Sequence, residues 1–235
     1  VAAATMQLLR GFGRWTNIVL AGLLLLVVFS FLTWAAAGTS LSLVGMLRTS
    51  LSLGVPIALG SLSGVLCERV AVINIAIEGM LLSGAFVGAL IGSVTGNAWP
   101  GVFAAVGTGL FLGWVMAVLA IKYKVDQIII GTIVNIFVLG LTSFLNLRVL
   151  AENPHLNQVP TLRSWRIPGL GDIPIIGPIF FDQSIFVYGS LALVGVLAYA
   201  PFHTRWGLQA RAVGEHPRAA DTVGINVYRY RYLNV

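Results

Sequence analysis

Few side chains in this sequence can do chemistry, and they fall in three places. Asn74 and Glu78 stand four residues apart in "NIAIEG", inside an otherwise apolar stretch. Asp126 and Gln127 open a second apolar stretch that Asn135 and Asn146 interrupt. "RAVGEHPRAADTVGINVYRYRY", from Arg211 to Tyr232, gathers arginines and acids around Pro217. A polar group in an apolar span is costly and needs a partner or a task. Amides beside one acid can tie helices together by hydrogen bonds, or recognise a polar, uncharged solute. Asn74 and Glu78 are predicted on one face of a helix, hydrogen-bonded to each other. Helix-to-helix bonding is their first reading, and the lining of a polar path is the second. No catalytic set accompanies them: there is no intramembrane Ser–His or paired-carboxylate arrangement and no phosphate-binding GxxxxGK[ST] motif. Cys67 is the single cysteine, and His155, His203 and His216 all lie outside the apolar spans. The sequence therefore predicts no enzyme, no metal site and no cofactor.

The elements that must hold these groups are membrane helices. Hydrophobic residues make up 57% of the 235-residue chain and charged residues 9%, against about 25% charged in soluble domains. The mean hydropathy is +0.91. Asn17 to Ala37 carries no charge and reaches about 32 Å as a helix, enough to cross a bilayer. Six complete spans are predicted, roughly 17–37, 47–66, 70–94, 99–121, 127–147 and 183–202, with a seventh beginning near Tyr232. Backbone groups must be paired within lipid, so the fold class is an all-α polytopic bundle. Gly84, Gly88 and Gly92 form a small-residue stripe at spacing four, repeated by Gly60 and Gly64 and by Gly109 and Gly113, and are predicted to pack helices closely.

The charge of +6 and pI of 10.0 would suit nucleic acid in a soluble chain, but no basic face with interleaved aromatics is present. Basic residues flanking spans orient a membrane protein instead. A cytoplasmic N-terminus puts Arg10, Arg14, Arg69, Lys122, Lys124, Arg205, Arg211, Arg218, Arg229 and Arg231 inside. Arg48, Arg148, Arg163 and Arg166 then lie outside, a split of ten against four that favours this orientation. The segment 148–182 becomes an extracytoplasmic loop holding five of the nine prolines, either a structured connector or a lip for a delivery partner. The segment 203–231 becomes a cytoplasmic loop. Within it Pro217 can start a helix and Gly224 can stop one in the left-handed conformation. A helix over 217–223 would present Ala219, Ala220 and Val223 on one face and Arg218, Asp221 and Thr222 on the other. So short a helix makes sense if it docks against something.

"GLQARAVGEHPRAADTVGINV", from Gly207, resembles the cytoplasmic loop of ATP-binding-cassette permeases of the branched-chain amino acid, ribose and nucleoside class. "ERVAVINIAIEGMLLSGAFVGA", from Glu68, resembles the glutamate-arginine and asparagine-glutamate-glycine block of that class. "VDQIIIGTIVNIFVLGLTSFL", from Val125, and "IPGLGDIPIIGPIFF", from Ile167, resemble its nucleoside-type branch. The likeness runs in order from about residue 45 to the end. It implies one transmembrane permease domain over 1–235, C-terminally incomplete relative to the family, in the bacterial cytoplasmic membrane and in contact with membrane lipid. It implies an importer of a nucleoside or sugar, partnered by cytoplasmic ATPase subunits, a second permease subunit in a heterodimer and an extracytoplasmic solute-binding protein. The short helix would be the ATPase-docking element, built on Pro217, Arg218, Ala219, Ala220, Val223 and Gly224. Ala71 and Ala76 depart from the pattern, standing where the family places glycine. The alternative is a shortened permease-like chain serving as a structural subunit of another membrane complex.

Overall fold

The computed structural model describes residues 16–35 and 42–235, so Arg10, Arg14 and the last two residues of the first expected span lie outside the described residues. The chain divides into two compact units at Met46 and Leu47. The first contains α1 (Thr16–Ala35), an uninterrupted apolar helix. Helix α2 (Leu43–Glu68) crosses the boundary, and the second unit holds the remainder. There follow α3 (Ile77–Thr95), α4 (Ala98–Ala117) and α5 (Gln127–Leu145). Single π turns at Val118–Lys122 and Asn146–Leu150 extend α4 and α5. Then come α6 (Ile185–His203), α7 (Arg205–Glu215), α8 (Pro217–Thr222) and α9 (Val227–Asn234). Six of these helices are long and apolar enough to cross a membrane, and the fold is that of an all-α polytopic bundle.

Side chains punctuate the helices where the sequence supplies capping residues. Asp126 Oδ1 accepts from the Ile128 and Ile129 N–H groups at 2.8 and 3.3 Å, which starts α5 as its acid predicts. Asn97, Thr204 and Asn226 begin α4, α7 and α9 by accepting from the Trp99, Gly207 and Arg229 N–H groups. The glycine stripe of α3 packs on α4. A Cβ on Gly88 would lie 3.1 Å from both the Ala105 Cβ and the Gly101 carbonyl oxygen, and one on Gly84 would lie 3.4 Å from the Ala105 oxygen. Close approach is thus what these glycines provide. Gly109 is different: nothing lies within 4 Å of its Cβ position, so the expectation of packing fails there.

The third span starts later than expected, at Ile77 rather than residue 70. Helix α2 ends first, in a left-handed turn. The Val72 N–H reaches back to the Cys67 carbonyl at 3.1 Å and the Ala71 N–H to Glu68 at 3.0 Å. This is the paired bond set of a Schellman stop, whose left-handed residue is usually glycine. Here it is Ala71, with φ 55°. Residues 72–75 then run outside any helix, with Val72 and Asn74 buried and Ile73 and Ile75 exposed, and a turn at the buried Ala76 leads into α3.

The long segment 148–182 is a structured connector laid on the helix ends. Trp165–Arg166 (β1) and Asp182–Gln183 (β2) pair antiparallel. Arg48 binds Asp182 at 3.2 Å, and Ser52 Oγ donates to the buried Gln183 at 2.9 Å.

A left-handed alanine costs about 1–2 kcal/mol, partly offset by the greater unfolded-state freedom of a glycine in its place. Ala71→Gly is therefore expected to stabilise the chain by about 0.5–1 kcal/mol. The measurement is thermal unfolding in detergent, and an unchanged or lower midpoint would show that Ala71 is unstrained.

Candidate functional site

The end of the second unit that carries α7 and α8 is built around a small core. Val70 and Val72 from the link between α2 and α3, Ala210 and Val213 from α7 and Ala220 from α8 are all buried together. Ile225, Val227 and Tyr230 pack against them. Glycine allows α7 to sit this close. A Cβ on Gly214 would collide with the Arg69 carbonyl, and one on Gly207 with the backbone of Pro201. Asn234 and Cys67 join α9 to the end of α2, where the thiol contacts the Asn234 carbonyl at 3.3 Å.

Helix α8 starts and stops as its sequence predicts. Pro217 occupies the first turn, where a missing N–H costs nothing. Gly224 takes φ 83°. The Ile225 N–H bonds the Ala220 carbonyl at 3.0 Å and the Gly224 N–H bonds Asp221 at 2.9 Å, a second Schellman stop. The expected docking face needs correction. Ala220 is 3% exposed and faces the chain's own core, so it anchors the helix rather than meeting a partner. Arg218, Ala219, Thr222 and Val223 face outward, and Val223 is 74% exposed. The short helix is held on one side and offers small and apolar side chains on the other.

The polar residues are assembled differently from the sequence expectation. Asn74 precedes α3 instead of lying on it, so Asn74 and Glu78 do not share a helical face. The Asn74 side chain turns back, its Oδ1 accepting from the Ala76 N–H at 3.0 Å. Asn135, one helix away on α5, does the joining. Its Oδ1 accepts from the Gly79 N–H at 2.8 Å, and its Nδ2 donates to the Ile75 carbonyl at 2.9 Å. Gln127 Oε1 accepts from the Ile73 N–H at 2.6 Å. Two side chains of α5 therefore satisfy backbone groups left open by the link and the first turn of α3. The sequence places both residues in an apolar span but does not reveal this task, because the apolar run predicts a helix continuing from residue 70.

Glu78 lies in the first turn of α3, where the helix dipole favours an acid. It has no hydrogen-bond or ion-pair partner among the described residues. It faces a groove of about 530 Å³ between α2 and α3, with Ser61, Glu68 and Asn74 as the other polar lining groups. No Lys, Arg or His lines that groove. Asn146 stands apart, exposed in the π turn after α5.

Six membrane-length helices, helix contacts made through glycine and a short helix displayed at one end define a multi-pass helical membrane protein. Residues 46–235 match the family described as branched-chain amino acid transport system / permease component, and the chain belongs to that family. It is 38% identical over 188 residues to the guanosine ABC transporter permease protein NupQ of Bacillus subtilis, a match covering 77% of this chain and 59% of NupQ. It is 35% identical over 189 residues to the nucleoside ABC transporter permease protein NupC of Lactococcus lactis, covering 77% and 59%. TsgC13 of Haloferax volcanii, provisionally a glucose ABC transporter permease protein, is 33% identical, covering 81% and 58%. The chain thus spans rather less than two thirds of the length of the relatives it matches. No solved structure matches it. The relatives are transporter permeases rather than enzymes, and with the six apolar helices they make this a multi-pass protein of the bacterial inner membrane.

Asn135 and Glu78 should separate on substitution. Asn135→Leu leaves the Gly79 N–H and the Ile75 carbonyl unpaired and is expected to lower stability by about 1–2 kcal/mol, the scale of hydrogen bonds within membranes. Glu78→Gln breaks no bond and should unfold with the parent chain. Thermal unfolding of both in detergent decides, and a destabilised Glu78→Gln beside a neutral Asn135→Leu would reverse the assignment.

Proposed function

We propose that the chain is a membrane-spanning permease subunit of an ATP-driven importer for a small polar, uncharged solute, a nucleoside or a sugar. The observation that carries the reading is α8: a six-residue helix, started by Pro217 and stopped by Gly224, locked by Ala220 and open to solvent at Ala219 and Val223. A helix so short is marginal alone. It is preorganised here by its anchor and is shaped to enter a groove on another protein. The partner is a cytoplasmic ATPase, since the sequence has no nucleotide-binding motif of its own and the relatives it matches are named as ABC transporter permeases. The names of NupQ, NupC and TsgC13 support the solute class. The groove beside Glu78 and Asn74 agrees with it, because acceptor groups without cations suit a solute rich in hydroxyl and amino donors rather than a phosphorylated one. A second permease subunit, as a heterodimer, and an extracytoplasmic binding protein complete the assembly.

The N-terminus is cytoplasmic in this reading, with α7 and α8 on the same side and residues 148–182 outside. Cys67 is fully buried, so it cannot report topology. In a Cys67→Ser background, an impermeant maleimide added to intact cells should label Gln158→Cys and spare Thr222→Cys, both at exposed positions. The reverse pattern would invert the orientation.

For docking, Ala219→Trp and Val223→Arg should each lower the ATPase copurified with the chain by about tenfold, equivalent to roughly 1.4 kcal/mol. Thermal stability should be unchanged, because both side chains are exposed. Ala220→Trp should instead destabilise the chain by about 1–3 kcal/mol through overpacking. A parent chain that binds no ATPase would favour a structural subunit of another complex.

A further inference from the structure

Charge is arranged asymmetrically in the second unit. All three ion pairs among the described residues, Arg48–Asp182, Arg148–Glu152 and Arg166–Asp172, belong to the end that carries residues 148–182. At the α7–α8 end, Arg69, Arg205, Arg211, Arg218, Arg229 and Arg231 form no ion pair among the described residues. Arg205, Arg218 and Arg229 are exposed, and Arg231 is half-buried. Arg69 and Arg211 are set apart by the ring they share. Both are half-buried, and the guanidinium carbon of each lies 5.2 Å from the centroid of the Phe202 ring. One aromatic ring therefore holds two like charges. Such a ring attracts each cation, but the cations repel one another and the ring neutralises neither. Arg211 Nε is also fully buried with no hydrogen-bond partner. The arrangement is held rigidly, because Gly214 and Gly207 on the same stripe of α7 press against the Arg69 carbonyl and Pro201.

The position identifies the missing anion. Phe202 is the penultimate residue of α6, a membrane-length helix, and is 52% exposed. One turn earlier, Tyr199 is 61% exposed and stacks on His203 with ring centroids 4.2 Å apart. Exposed aromatics at the end of a span mark headgroup depth. A guanidinium pairs with phosphate through parallel hydrogen bonds, and at that depth the phosphate at hand belongs to lipid. The geometry points to a binding site for the headgroup phosphate of an anionic phospholipid, clamped by Arg69 and Arg211 against the edge of Phe202. The inference stands whether or not the chain transports a nucleoside. The site ties the end of α2 to α7 and so braces the base from which α8 projects.

The test is native mass spectrometry of the purified chain in detergent, titrated with short-chain phosphatidylglycerol, phosphatidylcholine or inorganic phosphate. The parent should bind phosphatidylglycerol about tenfold tighter than phosphatidylcholine, the scale of one charge-assisted hydrogen bond. The double substitution Arg69→Gln with Arg211→Gln should abolish that preference. Lys124→Gln with Arg229→Gln removes the same charge from the same end and should keep it. Phe202→Leu should reduce it; if the Arg69/Arg211 double variant fails to fold, Phe202→Leu decides, and an unchanged preference there overturns the site. Equal losses in the two double variants would mean diffuse attraction and overturn it. Displacement of phosphatidylglycerol by inorganic phosphate at millimolar concentration would assign the clamp to a free anion. An unchanged lipid preference with loss of ATPase copurification would assign it to the protein partner.

Discussion

A chain that leaves the helical path within a membrane protein must find partners for its freed backbone groups, because lipid offers none. That constraint falls here on residues 69–76. Helix α2 ends, the backbone turns left-handed at Ala71, and eight residues in all separate α2 from α3. The Ile73 N–H, Ile75 carbonyl and Gly79 N–H would all be stranded without help. Gln127 and Asn135, both on α5, take all three, and Asn74 takes the Ala76 N–H. The amides that look dispensable in an apolar sequence are what permit the break. Gly131 belongs to the same solution, since a Cβ there would lie 2.7 Å from the Ile75 Cβ and 3.0 Å from the Ala76 nitrogen.

The break joins the two candidate functional regions. Its first half, Val70 and Val72, forms the floor on which Ala210, Val213 and Ala220 pack. Its second half carries Asn74 into the groove beside Glu78. A displacement of α8 therefore has a short, packed route to the polar groove, through two buried valines and a short non-helical segment. Rigid contacts of this kind move as a body or not at all.

What was legible in the sequence was legible for physical reasons. Apolar runs of membrane length gave six spans, and proline and glycine marked both ends of α8, because these signals are local. The stripe Gly84, Gly88 and Gly92 was legible because its spacing is that of a helix face. The link at 70–76 was not, because "VAVINIA" is apolar enough to extend the following helix and its left-handed residue is alanine. The likeness to a family with glycine at that position was the one signal that could have located the turn. The direction in which Ala220 faces was also hidden. Its inward packing depends on Val70 and Val213, distant in sequence, while the helical repeat shows only that Ala219, Ala220 and Val223 lie near one another. Asn135 was found as a polar residue in a span, but its partners were backbone groups that no side-chain pattern records.

The two Schellman stops make the same point about α2 and α8. Each ends with the same pair of bonds, at Cys67–Val72 and at Ala220–Ile225. At α8 the left-handed residue is Gly224 and the stop is unstrained; at α2 it is Ala71 and the stop carries a cost. The cost is tolerated because burial holds the residues on either side of the exposed Ala71: Val70 and Val72 are at most 1% exposed, and the Arg69 carbonyl is pinned beneath Gly214. A residue in a sparsely populated conformation persists only where its surroundings over-determine it. Here those surroundings are α7 and α8, so the helix proposed as the docking element is also what keeps the bend at the foot of the polar groove in place.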